Sequence, residues 1–134
     1  MQAQFFAEGM PVTKGSWVPM ISKTNGRVFL RPDSKKLRPW EKAVKASASV
    51  ALPADWNMSA PAYSCELHFF LPRYKKDWTK YGLVAPNADP YPRKLDLDKL
   101  VRAVLDALTH VAWEDDSAVM DILAYKRDRK STRL

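Results

Sequence analysis

Between Leu97 and Leu108 the residues Leu97, Leu100, Val101, Val104, Leu105 and Leu108 recur at helical spacing. They fall on one stripe about 140° wide. A helix with so wide an apolar face needs a second layer to bury it, and two other segments offer one. Lys35 to Ala51 sets Trp40, Ala43, Val44, Ser47, Ala48 and Ala51 at helical spacing, with Asp33 or Ser34 as a cap and Pro53 beyond the end. Tyr63, Cys65, Leu67, Phe69 and Leu71 alternate with Ser64, Glu66, His68 and Phe70. That period of two predicts a strand with one face in the core, closed by Pro72.

Shorter signals surround these elements. Gln2 to Met10, carrying Phe5 and Phe6, reads as a first strand, and Asn25-Gly26 between Ile21 and Val28 reads as a hairpin turn. Ala118 to Tyr125 reads as a last strand. A chain of 134 residues is the size of one domain. The expectation is therefore an α+β fold over residues 1–134, a mixed β-sheet packed with two main helices. From Arg73 to Lys94 there are six bases, two acids and no apolar periodicity, which predicts a long exposed loop. Residues 127–134 read as a flexible basic tail.

The charge is unevenly distributed. The net charge is +7, yet residues 95–121 hold seven acids against two bases, a local charge of −5 in a molecule whose remainder sums to +12. The basic body points to nucleic acid, because neutralising phosphates supplies most sequence-independent affinity. The single Cys65 excludes an internal disulfide framework. No apolar run approaches the ~20 residues of a membrane span, and the start does not resemble a signal peptide. A cytoplasmic protein with no membrane partner is expected.

Two acidic clusters carry the candidate chemistry. Asp96 and Asp98 stand two apart, which in mid-helix turns them about 200° from one another. They converge only where a helix begins, with Asp96 as N-cap and Asp98 in the first turn, where backbone N–H groups favour negative charge. A purely structural reading makes Asp96 a cap and Asp98 a surface acid. The second cluster, Glu114-Asp115-Asp116, follows the helix. Oxygen ligands from two segments suit Mg²⁺ or Mn²⁺. Cys65, His68 and His110 show no soft-metal spacing, and no phosphate-binding glycine loop or nucleophile elbow is present, so no nucleotide cofactor is expected.

The run D-L-D-K-L-V-R-A-V-L-D-A-L from Asp96, followed by W-E-D-D-S-A-V from Trp113, resembles the RusA family of Holliday junction resolvases. Members typically show D-x-D-N-L-x-K-A-x-x-D-A-L and then D-D-x-x-V. The resemblance implies a homodimeric, metal-dependent endonuclease that makes paired nicks in branched, four-way DNA by attack of a metal-activated water on a phosphodiester. It assigns the essential aspartates to Asp96, Asp98 and Asp116, with Asp115 as a further metal neighbour and Mg²⁺ (or Mn²⁺) as cofactor. The family's functional lysine falls on Arg102, which keeps the charge and can grip a phosphate but cannot give up a proton. Lys99 stands where the family prefers Asn. Lys14, Lys75, Lys76, Arg93, Lys94 and Lys99 are the candidate DNA contacts. A different structure-specific nuclease, for flaps or other branched DNA, and a non-enzymatic DNA-binding protein are the alternatives.

The helix from Leu97 to Leu108 is roughly 18 Å long at 1.5 Å per residue, and Asp116 follows its far end. Thr109 to Asp116, at about 3.3 Å per residue, can return to Asp96 only if it runs almost fully extended along the helix. The alternative is a two-fold assembly in which the start of one helix meets the end of another.

Overall fold

The computed structural model of the protein describes residues 1–15, 17–32, 35–72, 77, 79–82, 85 and 95–128. In chain order the elements are β1 (Trp17–Ile21), β2 (Val28–Pro32), α1 (Leu37–Ala51), β3 (Tyr63–Leu71), α2 (Leu97–Leu108) and β4 (Val119–Asp128). A 3-10 turn at Asp116–Ala118 leads into β4. β1 and β2 form an antiparallel hairpin, whereas β3 and β4 pair in parallel, from Tyr63 opposite Val119 to Leu71 opposite Asp128. Antiparallel and parallel pairing coexist as expected for an α+β fold, divided between two two-stranded sheets among the described residues. α2 is the crossover that parallel strands require.

The core explains why α2 is the organising element. Leu100, Ala103, Val104, Ala107 and Leu108 are buried on it, together with Leu37, Trp40, Val44 and Ala48 of α1 and Phe69 and Leu71 of β3. The leucine and valine stripe read from sequence is one part of this surface. Ala103 and Ala107 widen it, so that α2 is covered at once by α1 and by the inner face of the β3–β4 pair. Leu97, Val101 and Leu105 are half-buried at its margin. Beyond α2, Trp56 donates from its indole N–H to the Ala112 carbonyl at 2.7 Å, and the Glu114 N–H reaches the Met58 carbonyl at 3.1 Å. The loop after α1 thereby clamps the turn after α2.

Several sequence expectations are corrected. Residues 2–10 form no strand. Gly9, at φ 129°, turns the segment over Trp40, where an added Cβ would lie 3.6 Å from Cε3. Ala7, Met10 and Val12 then pack on the core, a contact that a straight strand would forfeit. The hairpin expected at Asn25-Gly26 does form, in a loop between Ile21 and Val28 where the Gly26 N–H bonds the Ser22 carbonyl and the Arg27 N–H bonds Asn25 Oδ1, with Gly26 at φ 69°. α1 begins at Lys36 with no side-chain cap, while Asp33 and Ser34 lie outside the described residues. β4 runs to Asp128, so Arg127 belongs to the sheet instead of a tail. In the basic segment 73–94 Asp77 is buried, at 6% exposure, so that stretch is not solvated throughout.

Leu100 is fully buried where both layers meet α2. Leu100→Ala should cost about 3 kcal/mol, within the 2–5 kcal/mol range of such truncations, measured as the shift in urea unfolding at an unchanged slope.

Candidate active site

α2 presents its first turn to solvent because the chain enters it from a fixed point: Lys126 of β4 donates from Nζ to the Leu95 carbonyl at 3.0 Å. Asp96 takes the N-cap position, its carbonyl accepting the Leu100 N–H at 3.1 Å, but its side chain caps nothing. The carboxylate is 60% exposed and stands 3.4 Å from Lys99 Nζ. Asp98 is exposed in the first turn, as is Arg102 one turn further on. The ion pair their spacing allows is not formed, and neither side chain has another ion pair among the described residues. Asp96 and Asp98 thus stand together at a helix N-terminus, where the dipole favours their charge.

The second acidic cluster lies at the other end. After Leu108 the chain does not run extended: Val111 and Ala112 N–H groups both bond the Leu108 carbonyl, His110 adopts φ 69°, and its N–H bonds the Trp113 carbonyl. This compact turn leaves Asp115 and Asp116 beside the last turn of α2. Asp115 caps the 3-10 turn, accepting the Ser117 N–H at 2.9 Å, and that backbone hydrogen bond, followed by one from the Ser117 side chain, holds its carboxyl below the usual range. Asp116 is held above the usual range, first by desolvation and then by the charges of Asp106 and Asp115.

The four candidate metal ligands therefore separate into Asp96 with Asp98 and Asp115 with Asp116, at opposite ends of a helix about 18 Å long. Among the described residues no three Asp, Glu, His or Cys side chains group so as to hold a metal ion. Of the two geometries open at the sequence level, an extended return within one chain is ruled out by the turn at Thr109–Trp113. Cys65 is half-buried on β3, and burial raises its thiol pKa.

The candidate DNA contacts are also distributed. Lys99 is exposed beside Asp96. Lys14 is engaged by carboxylates, 2.8 Å from Asp106 and 3.8 Å from Glu41, and its backbone N–H bonds the Lys99 carbonyl at 3.0 Å. It ties the N-terminal segment to α1 and α2, a role its position outside every periodic segment concealed. Asp106, on the flank of α2, is its partner. Lys75, Lys76, Arg93 and Lys94 lie outside the described residues. No helix among the described residues is long and apolar enough to cross a membrane.

Asp116 gives a pH test. Because its folded-state pKa exceeds the ordinary 3.8, folding disfavours the ionised form. The stabilising contribution is full below that ordinary value and disappears as pH rises through the folded one. Asp116→Asn should melt above the wild type at neutral pH, and the advantage should close by about pH 3. A lower melting temperature for the variant at neutral pH would contradict this.

Comparison with known proteins places these features in a family. Residues 8–134 match the family described as Endodeoxyribonuclease RusA. The chain is also similar to a curated relative, "Uncharacterized protein YqaN" of Bacillus subtilis (strain 168), 30% identical over 129 residues that cover 92% of this chain and 85% of the relative. No solved structure matches. With the match running through α1, both acidic clusters and the parallel strand pair, the chain belongs to the RusA family of endodeoxyribonucleases.

Proposed function

We propose that this protein is a divalent-metal-dependent endodeoxyribonuclease that resolves four-way DNA junctions as a homodimer, nicking opposed strands. The observation that carries the reading is at Asp96. It occupies a capping position without capping, its carboxylate 60% exposed and, among the described residues, facing Lys99. A structural acid at an N-cap would accept a backbone N–H, as Asp115 does. Asp96 and Asp98 are instead left available for something outside the subunit.

Asp96 and Asp98 offer hard oxygen donors, and neither is occupied by a backbone hydrogen bond, so the pair fits Mg²⁺ or Mn²⁺. Asp116 would complete such a site from a second subunit, with Asp115 beside it, since two α2 helices antiparallel about a two-fold axis bring the start of one to the end of the other. When bound, the ion lowers the pKa of water and offsets charge on the phosphodiester. Arg102 presents its guanidinium one turn from Asp98 and can grip phosphate oxygens in bidentate fashion. As it stays protonated, it orients and neutralises; it does not supply the leaving group's proton. Lys99, Lys75, Lys76, Arg93 and Lys94 would hold the arms of the junction. Lys14 contributes by bracing α2. A two-fold dimer suits a substrate that is itself approximately two-fold.

Complementation tests the shared site. Asp96→Asn and Asp116→Asn homodimers should each nick a synthetic four-way junction in Mg²⁺ on the order of a hundredfold or more slowly, the loss of about 3 kcal/mol of transition-state stabilisation. Mixing the two variants should restore nicking, because hybrid dimers regain one complete site. Mixtures as inactive as their parents would count against sharing, and equal nicking of flaps, duplexes and junctions would count against junction preference.

A further inference from the structure

In the parallel pair, residues opposite one another face the same side, and that alternation divides β3–β4 into two different surfaces. The inner face carries Leu67, Phe69 and Leu71 into the core. The outer face pairs His68 with Tyr125 and Phe70 with Arg127. Parallel sheets are ordinarily covered on both faces, yet here Phe70 is 41% and Tyr125 37% exposed, and Phe6, which touches Phe70, is 63% exposed. The rings form one row. The Phe6 and Phe70 centroids lie 6.2 Å apart, those of Phe70 and His68 6.5 Å, and those of His68 and Tyr125 4.9 Å at 18° between planes. The Arg127 guanidinium lies 4.6 Å over the Tyr125 ring, while its Nε donates to His68 Nδ1 at 3.1 Å. With Nδ1 accepting, the imidazole proton sits on Nε2, which faces Glu66 at 3.5 Å.

We propose that this row of Phe6, Phe70, His68 and Tyr125, with Arg127, is a binding site for unpaired nucleobases of branched DNA. The inference deepens the nuclease reading and rests on it for the substrate class. Aromatic faces stack on any base, and a guanidinium among them adds attraction for both the π-face and the neighbouring phosphate. Charge fixes which end of the face is used. Glu66 and Asp121 belong to its earlier half, and Arg127 stands at its later half, so a polyanion is drawn to the Phe70–Arg127 end. Lys126, between Tyr125 and Arg127, points to the opposite, inner face beside Phe69, where it holds the Leu95 carbonyl one residue before Asp96, so the ring row and the entry to α2 share one end of the strand pair from its two sides. A base displaced at the branch point and seated here would leave its own strand at the end of the pair whose other side receives Leu95. A second copy of the chain could cover the same rings, but the guanidinium stacked over Tyr125 favours a nucleotide.

The test uses the full chain in EDTA at one fixed salt concentration, with a thymidine homopolymer as single strand and a duplex of equal length, read by fluorescence anisotropy. Tyr125→Leu should weaken single-strand binding about tenfold, the worth of one stacked base, while duplex binding changes by less than about twofold. Tyr125→Phe, which keeps the ring, should bind like the wild type. The proposal is overturned if Tyr125→Leu leaves single-strand binding unchanged, if both probes weaken equally, or if Tyr125→Phe loses as much as Tyr125→Leu. It is also overturned if sedimentation shows Tyr125→Leu to be a monomer where the wild type is a dimer, which assigns the face to a second copy. Wild-type protein that nicks junctions in Mg²⁺ but shows none of the aromatic dependence removes this site alone. Aromatic-dependent binding without nicking supports the site and removes the nuclease reading.

Discussion

The burial of α2 between α1 and the inner face of the β3–β4 pair is the contact on which everything else depends. Leu100, Ala103 and Ala107 are fully buried there, and a rod held on two sides can neither bend nor slide. Its ends are fixed as firmly as its middle. Lys126 pins the entry by bonding the Leu95 carbonyl, and the Trp56–Ala112 and Met58–Glu114 hydrogen bonds pin the exit. The two acidic clusters are therefore two rigidly placed groups in one subunit, separated by the length of the helix.

That separation gives the two clusters different characters. At the entry, the Asp96 and Asp98 carboxylates are exposed and make no backbone hydrogen bond among the described residues, and they sit where the helix dipole already favours negative charge. At the exit, Asp115 is consumed in capping and Asp116 is crowded by Asp106 and Asp115. Crowded, partly desolvated carboxyls are costly to keep ionised and are common where a protein sets charge aside for function. Lys14 offsets part of that charge from the N-terminal segment through Asp106, so the segment before the hairpin serves the helix although it carries no regular structure.

The bounds of β3 and α2 were legible in the sequence because each buries one face, and burial writes a period into the residues: alternation from Tyr63 to Leu71, a helical stripe from Leu97 to Leu108. The end of β4 was not: Lys126 fell beyond the expected strand, and Arg127 and Asp128 read as part of a basic tail. What holds them is pairing with Phe69, Phe70 and Leu71, more than fifty residues earlier. The same distance hid the Lys14–Asp106 pair and the row of rings, where Tyr125 meets His68 only through strand register. Phe5 and Phe6 misled in the opposite direction, because aromatic residues suit a strand but equally suit packing across the outside of one, as Phe6 does on Phe70. At the candidate site the pairing of Asp96 with Asp98 was legible from spacing, while the refusal of Asp96 to cap was not. Residue type and position both favour capping, and only the orientation of the side chain shows otherwise.

The compact turn after α2 has a consequence for how such a protein can change. With His110 at φ 69° and the two amides that follow it, of Val111 and Ala112, bonded back to Leu108, little slack remains between the helix and the acids that follow it. Inserting or deleting a single residue within α2 would rotate everything beyond it by about 100° and shift it by about 1.5 Å, swinging Asp116 off its bearing relative to Asp98. Substitutions on a helix of constant length, and residues added or lost before it, leave the phase of the two carboxylate groups untouched.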